Sequence, residues 1–374
     1  MFKVMTIVGT RPEFIKMSRV IAEFDRHTQH VLVHTGQNFD YELNQVFFDD
    51  LEIRKPDHFL AANGATAAET IANVIAKVDP VLESERPDAV LLYGDTNSCL
   101  AVIPAKRRKI PVFHMEAGNR CFDQRVPEEL NRKVLDHLSD INMVLTEHAR
   151  RYLIAEGIRP ETIIKTGSHM PEVLAHYHAK IDASDAIPRL GLERGHYFLV
   201  STHREENVDT EQNLRDLLET LLALADKHAM PVIVSTHPRT RKRLDAMGHV
   251  ESDPRIRFLK PFGFTDYIRL QLDAFCVLSD SGTITEEAAL LQLPAINIRN
   301  AHERPEGMDS GTVVMAGLRK ERVLDAVRVV TAQHLGGQRP RPVPDYADGS
   351  VSLQVLRVVM SYVDYVRRTV WSER

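Results

Sequence analysis

The feature that most constrains the fold is a regular alternation of short apolar runs with helix-length amphipathic segments along all 374 residues. The runs are rich in β-branched residues and almost continuously apolar, which is typical of strands buried on both faces. Repeated strand–helix alternation predicts an α/β fold with parallel sheets that are covered by helices on both sides. The strands predicted in the first half are 2–8, 30–34, 88–93, 111–115 and 142–146. Those predicted in the second half are 197–202, 231–236, 256–259, 275–279, 294–298 and 312–315.

The segment 66–84 shows how the intervening helices are recognised. Thr66 and Glu69 have the spacing of a capping box, in which each side chain bonds the backbone of the other residue. Apolar residues from Ile71 to Val78 then recur at i, i+3, i+4 and i+7, the period of one helix face. This pattern predicts an amphipathic helix.

The length of the chain is sufficient for two domains. The alternating pattern loosens between Gly167 and Gly195, so we expect an N-terminal domain over 1–170 and a second domain over 171–350. A Gly- and Pro-rich stretch ends the second domain, and 351–374 is expected to contain a final helix. Ligands of open parallel sheets bind beyond the carboxyl ends of the strands. Unusual residues follow strands in both halves, which predicts a ligand cleft between two domains.

Composition excludes several classes of function. The formal charge of −5 offers no basic field for nucleic acid or for an anionic membrane. Three scattered cysteines without a CxxC pair are typical of a reducing compartment and argue against a disulfide framework or a zinc site. No apolar run approaches the roughly 18 residues of a membrane span. We therefore expect a cytoplasmic protein that binds neither nucleic acid nor membrane.

The stretch VGTRPEFIK at 8–16 directly follows the first predicted strand. Gly9 allows an anion to approach the backbone, and Arg11 and Lys16 supply positive charge at a helix start. These residues are a candidate phosphate site. The alternative is an ordinary strand–helix turn with two solvated bases.

A second candidate phosphate site is LSDSGTITEEAALL at 278–291. Ser281 and Gly282 connect a buried strand to a helix start, where several backbone N–H groups point in one direction. Glu286 or Glu287, one turn further on, could accept hydrogen bonds from both hydroxyls of a ribose. The alternative is a capped helix with an acidic first turn.

Two histidines follow strands in STHREEN and STHPRTRKRL, namely His203 and His237, and each lies close to an arginine. They are candidate site residues, although a structural or surface role is the alternative. Neither belongs to an HxH or HExxH pattern, so we predict no metal site.

Three acids are expected at one edge of the first sheet. Asp95 and Glu116 each follow a predicted strand, and Glu128 begins the next predicted helix. Carboxylates that are gathered at one edge repel each other unless protons or cations intervene, and their pKa values then separate as acid–base chemistry requires. The alternatives are an N-cap role for Asp95, and for Glu128 a solvated helix start paired with Arg125 and Arg132.

Seven motifs occur in the same order as in a known family: VGTRPEFIK, HTGQN, GDTNS, MEAGNR with PEELNR, THREEN, DSGTITEEA and ERPEG. In this respect essentially the whole chain resembles the non-hydrolysing UDP-N-acetylglucosamine 2-epimerases. The resemblance implies a GT-B-like fold of two Rossmann-like domains with an interdomain cleft, and a last helix that crosses back to the first domain. It also implies a homodimeric isomerase that acts on a UDP-sugar without metal or redox cofactor.

The resemblance further assigns roles to individual residues. Those matching the family's UDP-binding positions are Arg11, His237, Ser281, Gly282 and Glu287, with Phe264 at the uracil. Those matching its catalytic group are Asp95, Glu116, Glu128 and His203. Supporting charges are Lys16, Arg132 and Arg304.

Departures from the commoner members indicate a branch within the family. The loop at 121–125 is about two residues shorter, and Gly36-Gln37-Asn38 stands where those enzymes have TGQH at a second, activating site. The segments NRCFDQRVPEE, TGSHMPEVL, STHPRTRKRL and SYVDYVRRTVW are similar to the branch that makes UDP-N-acetyl-L-fucosamine for surface polysaccharides. That branch inverts C2 of UDP-2-acetamido-2,6-dideoxy-L-talose. The alternatives are a 2-epimerase that converts UDP-N-acetylglucosamine to UDP-N-acetylmannosamine and a GT-B glycosyltransferase.

Overall fold

The computed structural model describes residues 2–36, 50–202, 204–208, 210–247, 253–346 and 349–372. The chain divides into two compact units. The first unit comprises Met1–His176 with Asp345–Arg374, and the second comprises Tyr177–Pro344. The domain boundaries predicted at residues 170 and 350 stay a prediction.

Within its described residues, the first unit contains a parallel sheet of seven strands in the order β3-β2-β1-β4-β5-β6-β7. The strands are β1 (Lys3–Val8), β2 (Gln29–His34), β3 (His58–Phe59), β4 (Ala89–Tyr93), β5 (Val112–Met115), β6 (Ile141–Val144) and β7 (Ile163–Lys165). Strand β4 is completely buried, as expected for an interior parallel strand.

Within its described residues, the second unit contains a parallel sheet of six strands in the order β10-β9-β8-β11-β12-β13. The strands are β8 (Phe198–Thr202), β9 (Val232–Thr236), β10 (Ile256–Leu259), β11 (Cys276–Ser279), β12 (Ala295–Asn297) and β13 (Val314–Met315). Each unit therefore has the doubly wound order of a Rossmann-like sheet, which reverses beside its first strand. The predicted α/β fold with two parallel sheets is confirmed.

Helices connect the strands in both units. In chain order they are α1 (Arg11–His27), α2 (Ala67–Glu85), α3 (Val102–Arg107), α4 (Pro127–Leu138), α5 (Glu147–Ala155), α6 (Met170–Asp182), α7 (Ala186–Arg189), α8 (Glu205–Val208), α9 (Glu211–His228), α10 (Pro238–Ala246), α11 (Phe264–Leu272), α12 (Ile284–Leu291), α13 (Pro305–Ser310), α14 (Lys320–Leu335) and α15 (Val351–Trp371). The last helix, α15, belongs to the first unit, where it contacts α1. Among the described residues, no helix combines the length and the apolar character that crossing a bilayer requires.

Helix α2 illustrates how local sequence becomes structure. The Thr66 hydroxyl accepts a hydrogen bond from the Glu69 N–H at 3.1 Å, so the predicted cap is present. The stripe of buried residues from Thr70 to Leu82 recurs every fourth position and faces the core of the first unit.

Each predicted strand is present, with ends that differ by up to two residues. Among the described residues, the two strands that the sequence did not predict are β3 and β7, which are only two and three residues long. Both pair with a longer neighbour, β2 and β6 respectively. Segments this short carry too few side chains for a period of two to be recognised.

Candidate active site

The turn between β1 and α1 is held by a buried carboxylate, Glu13. Its Oε2 accepts hydrogen bonds from the backbone N–H groups of Gly9 at 2.5 Å and Thr10 at 3.1 Å. Its Oε1 accepts one from the Thr96 hydroxyl at 2.5 Å. Thr96 lies just after β4, the strand next to β1, so Glu13 connects the two loops at the point where the strand order reverses.

Burial raises the pKa of Glu13 to about 7. The hydrogen bonds from Thr96, Gly9 and Thr10 favour its ionised form and limit the shift, whereas the nearby charge of Asp95 adds to it. Gly9 itself has no space for a side chain, because a Cβ there would lie 1.9 Å from Ser98 Oγ. The turn is therefore fixed tightly against the end of β4.

Glu116 directly follows β5 in a left-handed backbone conformation, with φ of +63°. A residue other than glycine adopts this conformation only at a cost of order 1–3 kcal/mol, and such residues concentrate at functional sites. Glu116 Oε2 lies 2.8 Å from Lys16 Nζ and also accepts a hydrogen bond from the Tyr93 hydroxyl. Its Oε1 accepts a bond from the Asn119 amide at 3.3 Å. The ion pair is almost completely buried, which strengthens its electrostatic interaction.

Asp95, two residues beyond β4, is held by Arg132 of helix α4. Arg132 Nε donates to Asp95 Oδ2 at 2.8 Å, and Arg132 Nη1 donates to Glu129 Oε2 at 2.9 Å. One buried guanidinium therefore bridges an acid from a strand end and an acid from a helix start. Asn131 donates to the Asp95 carbonyl at 2.9 Å, which fixes the same loop through its backbone.

Glu129 was not predicted as a site residue, yet it lies deeper than its predicted neighbour Glu128. Both belong to the first turn of α4, where Glu128 is half-buried and Glu129 is buried. Burial disfavours ionisation of Glu129, but the Cys121 N–H and Arg132 outweigh it and keep the pKa of Glu129 below its usual value. The Glu129 carboxylate also accepts the N–H groups of Cys121 at 3.2 Å and Phe122 at 3.1 Å. It therefore ties the short loop at 121–125 to the start of α4.

Strand register places these groups at one edge of the first sheet. Tyr93 of β4 is paired with Met115 of β5, so Asp95 and Glu116 leave adjacent strands at their carboxyl ends. The structure brings Lys16 to Glu116 and Arg132 to Asp95, and each of these acids contacts a cation. We call this set of residues, Lys16, Asp95, Glu116, Glu129 and Arg132, the acidic edge.

The second unit has a different arrangement at the carboxyl ends of β8 and β11. Asp280, which follows β11, accepts three hydrogen bonds at Oδ2: from the Thr202 hydroxyl at 2.8 Å, the Arg204 N–H at 3.0 Å and the Asn207 amide at 3.1 Å. This buried carboxylate joins the loop after β8 to the loop after β11. We call the turn that follows it, Ser281 to Thr283, the serine–glycine turn.

The serine–glycine turn leads directly into helix α12. Ser281 Oγ contacts Thr283 Oγ1 at 2.9 Å and accepts the Thr283 N–H at 3.3 Å. A Cβ at Gly282 would lie 2.2 Å from Glu303 Oε1. Glu303 is paired with Arg299 at 3.0 Å, and Arg204 Nη2 would lie 3.8 Å from the same Cβ, so Glu303 and Arg204 lie close to a turn that has no side chain at its centre.

Glu287 lies one turn into α12 and is buried. Its Oε2 accepts a hydrogen bond from the Gln271 amide of α11 at 2.6 Å. Phe264, at the start of the same α11, is buried and packs edge-to-face on Tyr177, with ring centroids 5.8 Å apart. The predicted ribose and uracil residues are thus carried by two neighbouring helices.

The remaining predicted residues differ in exposure. His237 is exposed at the start of α10, where its Nδ1 accepts the Arg239 N–H at 3.3 Å. Arg304 is buried immediately before α13, and Arg11 is half-buried at the start of α1. His203 lies outside the described residues, as do Gln37 and Asn38. Within the described part of the chain, His, Cys, Asp and Glu side chains form no group of three or more that could hold a metal ion.

A family model described as UDP-N-acetylglucosamine 2-epimerase matches residues 22–360, which is most of the chain. The chain belongs to the UDP-N-acetylglucosamine 2-epimerase family. It is therefore an isomerase, and the predicted enzyme class is confirmed.

Solved structures and a curated relative agree with this membership. The epimerase aligns over 100% of both chains with the UDP-N-acetylglucosamine 2-epimerase from Rickettsia bellii, at 60% identity and a TM-score of 0.93. It aligns with the Methanocaldococcus jannaschii enzyme, a complex with UDP-GlcNAc and UDP, over 96% of this chain and 100% of that one, at 30% identity and a TM-score of 0.90. A Pseudomonas aeruginosa UDP-2,3-diacetamido-2,3-dideoxy-D-glucuronate 2-epimerase is 32% identical over 92% of this chain and 99% of the relative.

The roles of the predicted site residues in this epimerase stay predictions, and the structure describes the surroundings of all of them except His203. Residues that sequence reasoning did not assign to the site include Glu13, Tyr93 and Glu129, and His169, which contacts Tyr93. Glu129 could have been noticed from the Glu-Glu pair after Pro127. Tyr93 and His169 are 76 residues apart, and only the fold brings them together.

Proposed function

We propose that this epimerase inverts C2 of a UDP-2-acetamido sugar by eliminating UDP and then adding it back. The observation that carries the proposal is the acidic edge, where two acids, each paired with a base, leave adjacent strands. This arrangement supplies carboxylates that can give or take a proton, each with a cation in contact.

The chemistry requires such groups because the hydrogen on C2 is not adjacent to a carbonyl. When the bond between C1 and the UDP oxygen breaks, its electron pair leaves with UDP and positive charge develops at C1. A carboxylate then removes the C2 proton, and the electrons of that bond form a double bond between C1 and C2. Return of a proton to the opposite face of C2 and attack of the UDP oxygen at C1 complete the inversion.

The proposal divides the proton transfers among Asp95, Glu116 and Glu128. Lys16 and Arg132 hold two of these carboxylates in place through the ion pairs at 2.8 Å. His203 is proposed to assist at the departing diphosphate.

The second unit is proposed to hold the nucleotide. Backbone N–H groups at the start of α12 would stabilise the diphosphate, since a helix N-terminus favours anions. Glu287 would accept hydrogen bonds from the ribose hydroxyls, and Phe264 would contact the uracil. Further contacts are assigned to Arg11, His237, Ser281, Gly282 and Arg304.

We further propose that the sugar is UDP-2-acetamido-2,6-dideoxy-L-talose, which would yield UDP-N-acetyl-L-fucosamine. Support comes from the segments that resemble this branch and from the loop at 121–125. The loop is short and is pinned by Glu129, while the exposed Phe122 packs on Tyr152 with centroids 5.2 Å apart. A short loop held between Glu116 and Glu129 of the acidic edge would alter the space for a different C6 group.

The second candidate substrate is UDP-N-acetylglucosamine. It is favoured by similarity over the full chain to the R. bellii protein that carries this name. The M. jannaschii structure, with UDP-GlcNAc and UDP, supports it as well.

A direct comparison of the two sugars tests the assignment. Purified protein is given equal concentrations of each UDP-sugar, and the C2 epimers are quantified by NMR. We expect a higher kcat/KM for the 6-deoxy-L-talo compound. A clear preference for UDP-N-acetylglucosamine would refute the fucosamine branch and retain the 2-epimerase.

The same spectra distinguish the reaction types. An epimerised UDP-sugar as the product supports the proposal, whereas free sugar plus UDP would indicate a hydrolysing enzyme. A requirement for an added acceptor would indicate a glycosyltransferase. The proposal also includes a cytoplasmic homodimer that serves surface polysaccharide synthesis, and light scattering of the purified protein tests the dimer.

A further inference from the structure

A buried tyrosine and a buried histidine lie behind Glu116 in the first unit. Tyr93, the last residue of β4, donates its hydroxyl hydrogen to Glu116 Oε2. His169 Nε2 lies 2.9 Å from the same hydroxyl, and the two rings meet edge-to-face with centroids 5.1 Å apart. His169 is 0% exposed and Tyr93 only 3%. Neither residue has a role in the chemistry described above.

The direction of these hydrogen bonds follows from the donors available. A phenol has one hydrogen, and here it points to Glu116. The contact between the hydroxyl oxygen and His169 must therefore use a hydrogen on Nε2. His169 thus donates to Tyr93, and Tyr93 donates to Glu116.

The backbone that carries His169 is itself anchored. The Ser168 N–H donates to the Asp345 carbonyl at 3.2 Å, and the Met170 N–H donates to Ser168 Oγ at 3.1 Å. At the other end of the chain of hydrogen bonds, Lys16 Nζ contacts Glu116 and lies 5.4 Å from the centre of the Tyr93 ring. One carboxylate oxygen, Oε2, is thus held from two sides.

We propose that Tyr93 and His169 are a positioning pair that fixes the Glu116 carboxylate for proton transfer. His169 acts only through Tyr93: its N–H occupies the phenol oxygen and so keeps the phenol hydrogen directed at Glu116. Tyr93 and Lys16 together set the rotation of the carboxylate. This inference rests on the proposed role of Glu116 in the 2-epimerase.

The pair should influence turnover more than substrate binding. A displacement of about 1 Å at a reacting group can cost about 100-fold in rate. We expect Tyr93→Phe to lower kcat about 10- to 100-fold and to leave KM within about threefold of its original value. His169→Leu should lower kcat about 10-fold, because the phenol loses its orienting donor.

Two further variants separate positioning from simple packing. His169→Gln keeps an N–H donor near the position of Nε2, and we expect it to recover kcat to within about threefold. The double variant Tyr93→Phe with His169→Leu should be no slower than Tyr93→Phe alone, because His169 has no effect once the hydroxyl is absent.

Matched controls come from buried residues outside the acidic edge. Tyr197 is a buried tyrosine of the second unit whose hydroxyl donates to the Leu270 carbonyl at 2.6 Å. His30 has a buried side chain whose Nε2 lies 2.8 Å from the Thr6 hydroxyl. Tyr197→Phe and His30→Leu should change melting temperature to a similar extent and leave kcat unchanged.

The outcomes are decisive in each case. If the original protein epimerises no UDP-2-acetamido sugar, the proposed function fails before the pair is tested. If it does epimerise and Tyr93→Phe keeps kcat within twofold, the positioning pair is wrong. Additive losses in the double variant, or equal kcat for His169→Gln and His169→Leu, would also overturn it. If Tyr93→Phe does not fold, the comparison of the two His169 variants decides.

Discussion

The two units use the same kind of sheet but stabilise its carboxyl edge with different chemistry. In each unit a buried carboxylate connects the two loops where strand order reverses: Glu13 in the first and Asp280 in the second. Glu13 belongs to α1, the helix that follows β1. Asp280 belongs to the loop after β11, the strand that pairs with β8 in the second sheet. Beyond these similar anchors, Glu116 and Asp95 contact a lysine and an arginine, whereas Glu287, the predicted ribose residue of the second unit, contacts a neutral amide.

Under the proposed function, this difference corresponds to different tasks for the two units. An opposite charge in contact with an acid favours its charged form, which is the form that can accept a proton. A carboxylate held by amide and hydroxyl donors is instead a fixed acceptor, which is suited to hydroxyl groups of a ligand. Under the proposed function, proton transfer therefore falls to the first unit and nucleotide binding to the second.

The largest effect is expected when the charge of Asp95 in the first unit is removed. We expect Asp95→Asn to lower kcat about 1,000-fold, because the amide can still accept a hydrogen bond from Arg132 but cannot accept a proton from carbon. Affinity for UDP, measured by calorimetry, should change less than threefold. Unchanged turnover with intact UDP binding would show that the acidic edge is structural.

Removal of the cation next to Glu116 should have the next largest effect. Lys16→Met leaves a nearly buried carboxylate without its ion partner, and we expect kcat to fall about 10- to 100-fold. Lys106→Met is a control, because Lys106 pairs with the buried Asp140 at the opposite edge of the same sheet. If Lys16→Met and Lys106→Met lower kcat equally, the Lys16–Glu116 ion pair has no specific role in turnover.

A substitution at Gly282 tests the proposed phosphate site of the second unit. A methyl group there would meet the Glu303 carboxylate, so we expect Gly282→Ala to weaken UDP binding about 10-fold. Uridine lacks phosphates, and its affinity should change less than twofold. Glu287→Gln should weaken UDP and uridine equally, since both contain the ribose. Parallel losses for the two ligands in Gly282→Ala would argue against a phosphate site.

The smallest effect on the chemistry is expected from Glu13→Gln, which changes the pH dependence of stability. Since the pKa of Glu13 is raised to about 7, the folded protein keeps a proton that the unfolded chain releases. Stability is therefore lost as pH rises from about 4.5 to 7, by at most about 3 kcal/mol. Glu13→Gln has no carboxyl group at this position, so its stability does not decrease in this way as pH rises. The melting temperature of Glu13→Gln minus that of the original protein should therefore be larger at pH 8 than at pH 5. The same difference at both pH values would contradict the raised pKa of Glu13.

The sequence predicted the parts of this fold that depend on local pattern. Each predicted strand is present, and the cap of α2 is formed by the residues that the spacing indicated. The residues that follow strands, such as Asp95 and Glu116, could be placed at one edge because parallel strands end together.

Contacts between distant residues could not be predicted in this way. Glu13 had no predicted role in the site, because its bond to Thr96 spans 83 positions and depends on how β1 and β4 pair. The contact of Tyr93 with His169 likewise has no local signature. Glu129 was passed over for Glu128 because the sequence does not show which of two adjacent acids faces inward.

The most direct test of the elimination mechanism is incubation with a UDP-2-acetamido sugar in deuterated water, followed by NMR at C2. We expect the epimerised product to carry solvent deuterium at C2, because the proton removed by a carboxylate exchanges before one is returned to the opposite face. An epimerised product that retains its original hydrogen at C2 would contradict proton transfer by Asp95, Glu116 and Glu128.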